Sequence, residues 1–291
     1  MGRARSLRAL PVVAASMLPE DMGAVMESLG QGAVEVERRA GVAWITLNRP
    51  ESINAINDSI RQHVPAALQT LDADPDVHVI VLRGAGARGF CAGADLKERP
   101  AVENPLDARV LGARTTWIES FDRVAKPLIA QIHGFCLGGG LEIALACDLR
   151  IASADAVFAL PETGLGLIPG GGGTQRLPRI IGLGRAMDML LTGERIDASE
   201  ALRSGLISRL LPDHAALASE AAALAERIAA RPPLATRFAK EAARVGLQID
   251  LPAGLRLERA LFTLLLSGDE RREALAAFRE KRPPAFSVTP K

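Results

Sequence analysis

The stretch KPLIAQIHGFCLGGGLEIALACDLRIASADAVFALPETGLGLIPGGGGTQRLP, residues 126–178, decides both the fold and the candidate site of this chain. It contains two glycine runs, 138–140 and 170–173, and two glutamates in apolar surroundings, Glu142 and Glu162. Glycine permits close backbone approach and positive φ. Isolated carboxylates among apolar residues tend to have raised pKa values and to take part in acid–base chemistry. We therefore treat the two glutamates as candidate catalytic residues.

Apolar periodicity on both sides of this stretch predicts the fold class. Residues 42–47, 77–82 and 127–132 are short apolar runs that end at turn residues, which predicts strands. Between the first two, residues 58–71 place their apolar side chains on one helical face. From about residue 214 the pattern is wholly helical. Strands that alternate with helices, followed by helices alone, predict an α/β core with a helical C-terminal part.

The chain divides into three parts: an N-terminal extension at 1–33, an α/β core with the candidate site at 34–212, and a helical region at 213–291. Ordered structure is predicted to begin near Ala33. The extension has arginines ahead of a weakly apolar stretch, 10–18, and one interpretation is a targeting peptide. A proline and a serine interrupt that stretch and several methionines follow, which favours a flexible extension or an upstream start codon.

Composition and charge argue against several classes of partner. Lysine plus arginine number 35 against 34 for aspartate plus glutamate, so the net charge of +1 gives no global field for nucleic acid or an anionic membrane. Aromatic residues make up 3% and tyrosine is absent, which argues against a base-stacking surface. No apolar run approaches the ~20 residues of a membrane span. The three cysteines lack pairing motifs, which favours a reducing cytoplasm.

The glycines at 138–140 open a short apolar helix, 141–146. A helix N-terminus exposes unpaired N–H groups and about half a positive charge. Because glycine has no side chain, a ligand oxygen can approach these groups, which predicts an oxyanion hole or, equally, a phosphate site. Glu142 in the first turn has two interpretations, a surface residue that matches the helix dipole or a functional carboxylate.

Glu162 follows the apolar run 157–161 and precedes a glycine-rich turn. Polar residues just beyond a strand end lie where α/β active sites collect. The alternative is a loop glutamate in water. Because 20 positions separate Glu162 from Glu142 (162 − 142), only the fold can bring the two carboxylates together.

Other chemical motifs are missing from the sequence. The run 164–169 lacks the third glycine of a dinucleotide-binding loop, and there is no Gly-Lys-Ser/Thr for a phosphate-binding loop. The four histidines, including His133 beside the first glycine run, lack metal-ligand spacing, so no metal site is predicted. Cys91 has no local histidine to activate it and is interpreted as a packing residue.

Three segments together carry a family resemblance. FCAGADLK at 90–97, HGFCLGGGLE at 133–142, and PETGLGLIPG at 161–170 with GTQRL at 173–177 resemble the enoyl-CoA hydratase/isomerase (crotonase) superfamily. The likeness runs from about residue 34 to 286. The order and spacing of the motifs make it specific for the superfamily, and much less specific for the acyl group.

The resemblance implies a fold, a ligand and an assembly. The fold is a spiral of ββα repeats followed by a helical region used in trimerisation, in homotrimers or homohexamers. The ligand is an acyl-CoA thioester, which is the substrate, with no separate cofactor. Carried over residue by residue, Ala94 and Gly139 donate the two N–H groups of an oxyanion hole. Six positions match coenzyme A contacts: Ala92, Asp95, Leu96 and Lys97 in the first motif, and Phe278 and Lys281 in a C-terminal Phe-x-x-Lys.

The two acid positions point to hydratase chemistry within that family. Two-glutamate hydratases have Glu at both positions, many isomerases keep an acid only at the second, and dehalogenases and decarboxylases replace one or both. Because Glu142 and Glu162 are both present, the chain resembles a hydratase. The implied reaction is syn addition of water to a trans-2-enoyl-CoA, giving a 3-hydroxyacyl-CoA. Such an addition needs a base for the water and an acid for the α carbon. Next to these motifs, the glycine run 170–173 is interpreted as the turn that holds the loop behind Glu162.

Three alternatives remain open. The run PGGGGTQRLPR at 169–179 also resembles methylglutaconyl-CoA-type hydratases of branched substrates, and an enoyl-CoA isomerase belongs to the same group of alternatives. Some relatives of that branch bind RNA, and the near-zero net charge and few aromatic residues argue against this function. An inactive acyl-CoA-binding scaffold is the third, and two intact glutamates argue against it.

Overall fold

The computed structural model describes residues 25–98, 102–113 and 115–286. Within these ranges the strands are β1 (Val25–Leu29), β2 (Val34–Arg39), β3 (Val42–Leu47), β4 (Val79–Gly84), β5 (Leu128–Ile132), β6 (Phe135–Leu137), β7 (Leu149–Ser153), β8 (Val157–Ala159), β9 (Ile196–Asp197) and β10 (Arg209–Leu211). The α-helices are α1 (Asp58–Ala73), α2 (Pro105–Ala113), α3 (Gly139–Ala146), α4 (Gly173–Ile181), α5 (Leu183–Thr192), α6 (Ala198–Arg203), α7 (His214–Ala229), α8 (Pro233–Gly246), α9 (Leu251–Leu266) and α10 (Asp269–Glu280). Short 3-10 helices at Pro50–Ser52, Leu96–Glu98, Thr116–Arg123 and Glu162–Leu165 lie in the connections.

Seven strands form one mixed sheet in the order β1-β2-β3-β4-β5-β7-β10. The first two pairs are antiparallel and every later pair is parallel. The β2–β3 hairpin turns through Ala40 and Gly41, both at positive φ, which is the turn that matches the twist of the strands. This hairpin confirms the strand prediction for residues 42–47. Parallel neighbours need a crossover connection, and α1 supplies the one between β3 and β4.

The strand β1 corrects the predicted start of ordered structure near Ala33. It pairs with β2 along its whole length, from Val25 opposite Arg38 to Leu29 opposite Val34. Four of its five residues are exposed, so the apolar alternation that would mark a strand is weak and backbone pairing defines it. The predicted start is therefore wrong, because ordered structure already includes β1. The possible targeting segment lies outside the described residues.

A second sheet has three strands in the order β6-β8-β9, with β6 and β8 parallel. An isolated parallel bridge joins Cys91 to Cys136 of β6, so the loop after β4 runs alongside this sheet. The sequence does not predict β6, because its three residues lie between Gly134 and the glycine run 138–140. This small sheet positions the candidate site.

Helix α1 packs its predicted apolar face into the core. Its N-terminus is capped by Asn57, whose side chain accepts a hydrogen bond from Ile60 N. At its other end the Nζ of fully buried Lys126 donates to Leu71 O and Asp74 O, both at 2.5 Å, and satisfies carbonyls near the helix end. The buried face consists of the five residues predicted from the spacing: Ile60, Val64, Ala67, Leu68 and Leu71.

The C-terminal helices divide into one that packs on the large sheet and three that pack mainly on one another. On the sheet face opposite α1, α7 buries an apolar cluster formed by Leu217, Ala221, Leu224 and Ala225 with Val42, Val79, Val81, Ile129 and Ile151. In α8, α9 and α10 only Pro233, Leu261 and Ala277 are buried. Large apolar side chains on or beside these three helices remain exposed, among them Leu247, Leu251, Leu255, Phe262, Leu264 and Phe278. The prediction of a wholly helical region from about residue 214 is confirmed.

All three cysteines are buried thiols, and this gives a first prediction. Burial raises the pKa of Cys91 and of Cys147 to about 12, and it raises the pKa of Cys136 well above its ordinary value. Because the thiolate is the reactive form, none of the three should react with iodoacetamide at pH 8 in the folded protein, and all three should react in denaturant. Mass spectrometry of the alkylated protein measures this. Rapid alkylation of any of them in the native state would contradict the described core.

Candidate active site

The two predicted oxyanion-hole residues follow neighbouring parallel segments. Cys91 is paired with Cys136 of β6. Ala94 and Gly139 each come three residues after these cysteines (94 − 91 and 139 − 136), so an equal register carries both to the same edge of the sheet. In α/β folds, ligands bind at the carboxyl ends of parallel strands.

The two glutamates also follow neighbouring parallel strands. Leu137, at the end of β6, is paired with Ala159, at the end of β8, and Glu142 and Glu162 come shortly after them in the chain. Gly138, the residue before α3, lies between the backbone of Glu142 and the side chain of Glu162. Its O accepts a hydrogen bond from Glu142 N at 3.0 Å, and a Cβ placed on it would lie 2.9 Å from Glu162 Oε1. The fold therefore places Glu142 in the first turn of α3 and the carboxylate of Glu162 beside the glycine that precedes this helix.

The loop that carries Ala94 lies directly against β6 and the start of α3. Cys91 N donates to Phe135 O, and Leu137 N donates to Cys91 O, both at 3.0 Å. A Cβ on Gly140 would lie 2.3 Å from Cys91 O, closer than real side chains come. Glycine at this position is therefore what lets α3 begin against the loop.

The N–H groups of Ala94 and Gly139 are close neighbours. An isolated parallel bridge pairs Ile56 with Ala94. Its two hydrogen bonds run from Ile56 N to Gly93 O and from Asp95 N to Ile56 O, so Ala94 N takes no part in it. The N–H of Ala94 therefore points to the other side of this bridge. Gly139 is the first residue of α3, and a Cβ on it would lie 3.8 Å from Ala94 N. Within the described ranges neither N–H donates to another residue, so both can serve an oxyanion.

The side chain of Glu142 is buried against the glycine run 170–173, with 5% of the residue exposed. Its Oε1 accepts hydrogen bonds from Gly171 N at 2.6 Å and from Gly173 N at 2.9 Å. The sequence predicts that this run is a turn behind Glu162. That interpretation is wrong, because the N–H groups of the turn form an anion-binding concavity around Glu142 instead. Its burial also excludes the surface interpretation of Glu142.

Burial raises the pKa of Glu142 above its ordinary value. The hydrogen bonds from Gly173 and Gly171 and the charge of Arg176 favour the ionised form and lower the pKa only in part. A carboxyl group whose pKa is raised towards the working pH is suited to accept and return a proton. The environment of Glu142 therefore fits a general base.

Glu162 is half-buried and lies on a turn that several hydrogen bonds stabilise. It begins a 3-10 helix that closes with Gly166 at φ 71°, and Leu167 N donates to Glu162 O at 3.0 Å. Thr163 Oγ1 donates to Leu190 O at 3.1 Å and ties the turn to α5. The loop alternative, a glutamate in open water, does not describe this environment.

The four candidate coenzyme A residues of the first motif lie in different environments. Ala92 is partly buried, while Leu96 and Lys97 are exposed. Asp95 is buried, and its Oδ2 accepts from Arg49 Nη1 at 2.9 Å. Burial raises the pKa of Asp95, but the hydrogen bond and charge of Arg49, together with Lys97 N, outweigh burial and hold the pKa below its ordinary value. The carboxylate of Asp95 therefore anchors the loop, and Leu96 and Lys97 face solvent.

Phe278 and Lys281 lie at the end of α10. Phe278 is 71% exposed, and Lys281 ends the helix in the left-handed conformation, at φ 53°. Among the described residues, no hydrogen bond or ion pair joins either side chain to the glutamates or to the 89–97 loop. The structure of a single chain therefore does not link these two residues to the other candidates.

The chain matches known proteins along most of its length. The sequence model of the Enoyl-CoA hydratase/isomerase family matches residues 37–289. The chain belongs to this family. It is 45% identical over 252 residues to a probable enoyl-CoA hydratase of Rhizobium meliloti, which covers 86% of this chain and 96% of that protein. It is 38% identical over 250 residues to the short-chain-enoyl-CoA hydratase of Clostridium acetobutylicum, which covers 86% and 95%.

Solved structures of the family confirm the fold class. An enoyl-CoA hydratase from Bacillus anthracis superposes with a TM-score of 0.84 at 40% identity, and the match covers 88% of this chain and 100% of that chain. The protein therefore has the crotonase fold, an α/β spiral core followed by C-terminal helices, and is an enzyme of the enoyl-CoA hydratase/isomerase type. The candidate residues from Ala92 to Lys281 all lie inside the matched region.

Sequence reasoning missed two residues that hold the site of this family member together. Asn54 is fully buried at φ 54°, and its Nδ2 donates to Ala85 O at 3.0 Å and to Gly89 O at 2.9 Å. Its Oδ1 accepts from Arg49 N at 2.9 Å. The pair thus fixes both ends of the loop that presents Ala94. Asparagine tolerates the left-handed conformation, so Asn54 after a proline turn was the available signal.

His133 has a structural contact, and the described residues show neither a metal site nor a membrane-spanning helix. His133 is buried, its Nε2 forms a hydrogen bond with Gly86 O at 2.8 Å, and burial lowers its pKa. Across the ranges that the structure describes, no group of three or more His, Cys, Asp or Glu side chains is arranged to hold a metal ion. In the same ranges no helix has the length and apolar character needed to cross a bilayer.

The buried charge of Glu142 gives a prediction about stability. The pKa of Glu142 is higher in the folded state than in the unfolded state, where it is about 4.3. The contribution of Glu142 to the free energy of unfolding is therefore fully present below pH 4.3 and is lost as pH rises through the folded pKa. The amide of Glu142→Gln stays neutral, and its oxygen can still accept from Gly171 N and Gly173 N. The variant should therefore become more stable than the wild type as pH rises. Urea unfolding from pH 4.5 to 8 measures the difference, and a difference independent of pH would contradict the assigned environment.

Proposed function

We propose that this enzyme is an enoyl-CoA hydratase that adds water to a trans-2-enoyl-CoA and gives a 3-hydroxyacyl-CoA. One observation carries the proposal: buried Glu142 lies in the first turn of α3, and Glu162 Oε1 lies beside Gly138 at the start of the same helix, next to the N–H groups of Ala94 and Gly139. Two carboxyl groups next to two oxyanion donors are the groups that hydration of an α,β-unsaturated thioester needs. The hydratase names of the similar proteins from Rhizobium meliloti and Clostridium acetobutylicum support the same reaction.

The N–H groups of Ala94 and Gly139 bind the thioester oxygen. When the water oxygen bonds to the β carbon, the C=C electron pair moves towards the carbonyl and negative charge develops on that oxygen. Donors fixed in place before the reaction stabilise this enolate without reorganisation. One such donor is worth about 100- to 1000-fold in rate in enzymes where it has been removed.

The glutamates move the protons. Glu142 removes a proton from the water as its oxygen bonds to the β carbon, and Glu162 donates a proton to the α carbon. Together these steps add one water molecule, and both groups act from the same side, which gives syn addition. Coupled carboxyl groups share their protons, so the pair can exchange roles. The thioester and these groups supply every step, so the proposal needs no separate cofactor.

Coenzyme A binding and assembly form a second part of the proposal. Ala92, Leu96 and Lys97 lie in the same 89–97 loop as Ala94, along the path of the coenzyme A moiety. Phe278 and Lys281 reach it from α10 of a neighbouring subunit, which explains why they do not join the site within one chain. The exposed apolar side chains of α8, α9 and α10 support a homotrimer or homohexamer. Light scattering of the purified protein tests the assembly.

The reaction is tested with crotonyl-CoA. Loss of the conjugated absorbance, with mass spectrometric detection of 3-hydroxybutyryl-CoA, is the expected result. A panel of straight and branched 2-enoyl-CoA and 3-enoyl-CoA substrates measures the preferred acyl group. Turnover of 3-enoyl-CoA to 2-enoyl-CoA without hydration would replace the hydratase proposal by an isomerase.

A further inference from the structure

Arg176 binds the carbonyl oxygen of Gly171, the residue whose N–H binds Glu142. It lies on α4, just after Gly173, and 20% of its side chain is exposed. Its Nη1 donates to Gly171 O at 2.8 Å, while Gly171 N donates to Glu142 Oε1 at 2.6 Å. Gly171 therefore links the guanidinium to the carboxylate.

Asp122 fixes the other side of the guanidinium. Its Oδ2 accepts from Arg176 Nη2 at 2.5 Å, and its Oδ1 lies 3.7 Å from Arg244 Nη1 on α8. Asp122 lies on the 3-10 helix Thr116–Arg123, which also carries Ile118. The Cδ1 of Ile118 would lie 2.4 Å from a Cβ on Gly171. The turn is thus held between a polar contact to Arg176 and an apolar contact to Ile118.

The glycine turn is shaped around the guanidinium. Gly172 has φ 106°, and a Cβ on it would lie 2.0 Å from Arg176 Nη1. The backbone conformation favours glycine at this position, and any other side chain would displace the guanidinium of Arg176. Such close fitting is not needed for an arginine that only contributes surface charge.

We propose that Arg176, anchored by Asp122, is the positioning residue for Glu142. It fixes the Gly171 peptide group so that the N–H groups of Gly171 and Gly173 stay on one carboxylate oxygen. The planar guanidinium can bind the carbonyl and the aspartate with separate N–H groups, which a lysine cannot do in the same geometry. The kinetic part of the inference rests on the proposed hydratase function, and the geometric part does not.

The charged groups around Glu142 determine how its pKa changes when the contact between Arg176 and Gly171 is lost. Arg176 faces it from α4, Asp122 acts through Arg176, and Glu162 lies on the other side of Gly138. Removing Arg176 takes away a positive charge and loosens the N–H donors that favour the ionised form, while burial persists. The pKa of Glu142 then rises further, so the acidic limb of kcat/KM moves to higher pH. A misplaced base also lowers kcat.

The experiment compares Arg176→Met, Arg176→Lys and Asp122→Asn with a matched control. Arg179→Met removes an exposed arginine on the same helix whose described hydrogen bonds go only to Gln175. For Arg176→Met we expect kcat to fall by about 10- to 100-fold, with little change in KM and an acidic limb at higher pH. Arg176→Lys and Asp122→Asn should show smaller changes in the same direction, and Arg179→Met none.

Two results would overturn the inference. One is an Arg176→Met variant with wild-type kcat and an unmoved acidic limb. The other is a variant that loses activity and thermal stability together while the acidic limb stays in place, since a purely structural role would do this.

A readout without turnover separates this inference from the proposed function. Infrared spectra at different pH values show the protonated carboxyl band of Glu142, which is assigned by its loss in Glu142→Gln. If the wild type hydrates no enoyl-CoA, the proposed function fails, and the infrared titration still decides the role of Arg176. As pH rises, the band of Arg176→Met should persist to higher pH than the band of the wild type. An unchanged titration would overturn the inference.

Discussion

Replacing Glu142 by Gln should lower kcat for crotonyl-CoA hydration by about 100- to 10,000-fold. The amide keeps the shape of the side chain and can still accept from Gly171 N and Gly173 N, but it cannot take a proton from water. KM should change little, because in the proposed mechanism the N–H groups of Ala94 and Gly139 hold the thioester oxygen. Initial rates of crotonyl-CoA hydration at saturating substrate measure the effect.

A matched control separates the base from a general charge effect. Glu119 is an exposed glutamate on the 3-10 helix Thr116–Arg123, and Glu119→Gln should keep the wild-type kcat. Glu162→Gln should lower kcat by a similar factor to Glu142→Gln, and the double variant should lose little more, since the two groups act as one unit. Wild-type turnover in either single variant would contradict the assignment of that glutamate.

Replacing Gly140 by Ala should damage both stability and catalysis. The new Cβ would lie 2.3 Å from Cys91 O and 2.8 Å from Cys91 Cβ, and the first is a backbone atom that cannot rotate away. The loop must move, which should cost about 1–3 kcal/mol of unfolding free energy. Because the same loop carries Ala94, its N–H also leaves its place beside Gly139, and kcat should fall by about 100-fold.

Gly184→Ala is the control for this variant. Gly184 lies in α5, has no positive φ, and a Cβ on it would meet no atom within 4 Å. Alanine there should leave kcat unchanged and stabilise the protein by about 0.4–1 kcal/mol. Urea unfolding and crotonyl-CoA kinetics on both variants measure the contrast. A fully active and stable Gly140→Ala variant would show that α3 and the loop that carries Ala94 are not in the described contact.

Local patterns in the sequence were sufficient for the larger elements. The β2–β3 hairpin, the apolar face of α1 and the C-terminal helices are each set by residues within a few turns of one another. The exposed strand β1 has little apolar alternation, so periodicity could not reveal it. The candidate acids stood out because Glu142 lies in a run that is otherwise apolar.

The arrangement of the site could not be predicted from these patterns. It depends on the three-residue strand β6 and on its register with Cys91 and β8, which no periodicity marks. Ion pairs such as Arg49–Asp95 and Arg176–Asp122 join residues 46 and 54 positions apart, and nothing in the spacing identifies the partners. For the same reason the glycine run 170–173 was assigned to the wrong glutamate.

In the proposed mechanism, Glu142 and Glu162 together add water to an enoyl thioester held by Ala94 and Gly139. The most direct measurement is the mass of the product after crotonyl-CoA is incubated in ¹⁸O-labelled water with the wild type or with the Glu142→Gln, Glu162→Gln double variant. We expect 3-hydroxybutyryl-CoA with one ¹⁸O atom from the wild type, and no product above the uncatalysed level from the double variant. Unchanged crotonyl-CoA with the wild type, or labelled product formed at the wild-type rate by the double variant, would contradict this mechanism.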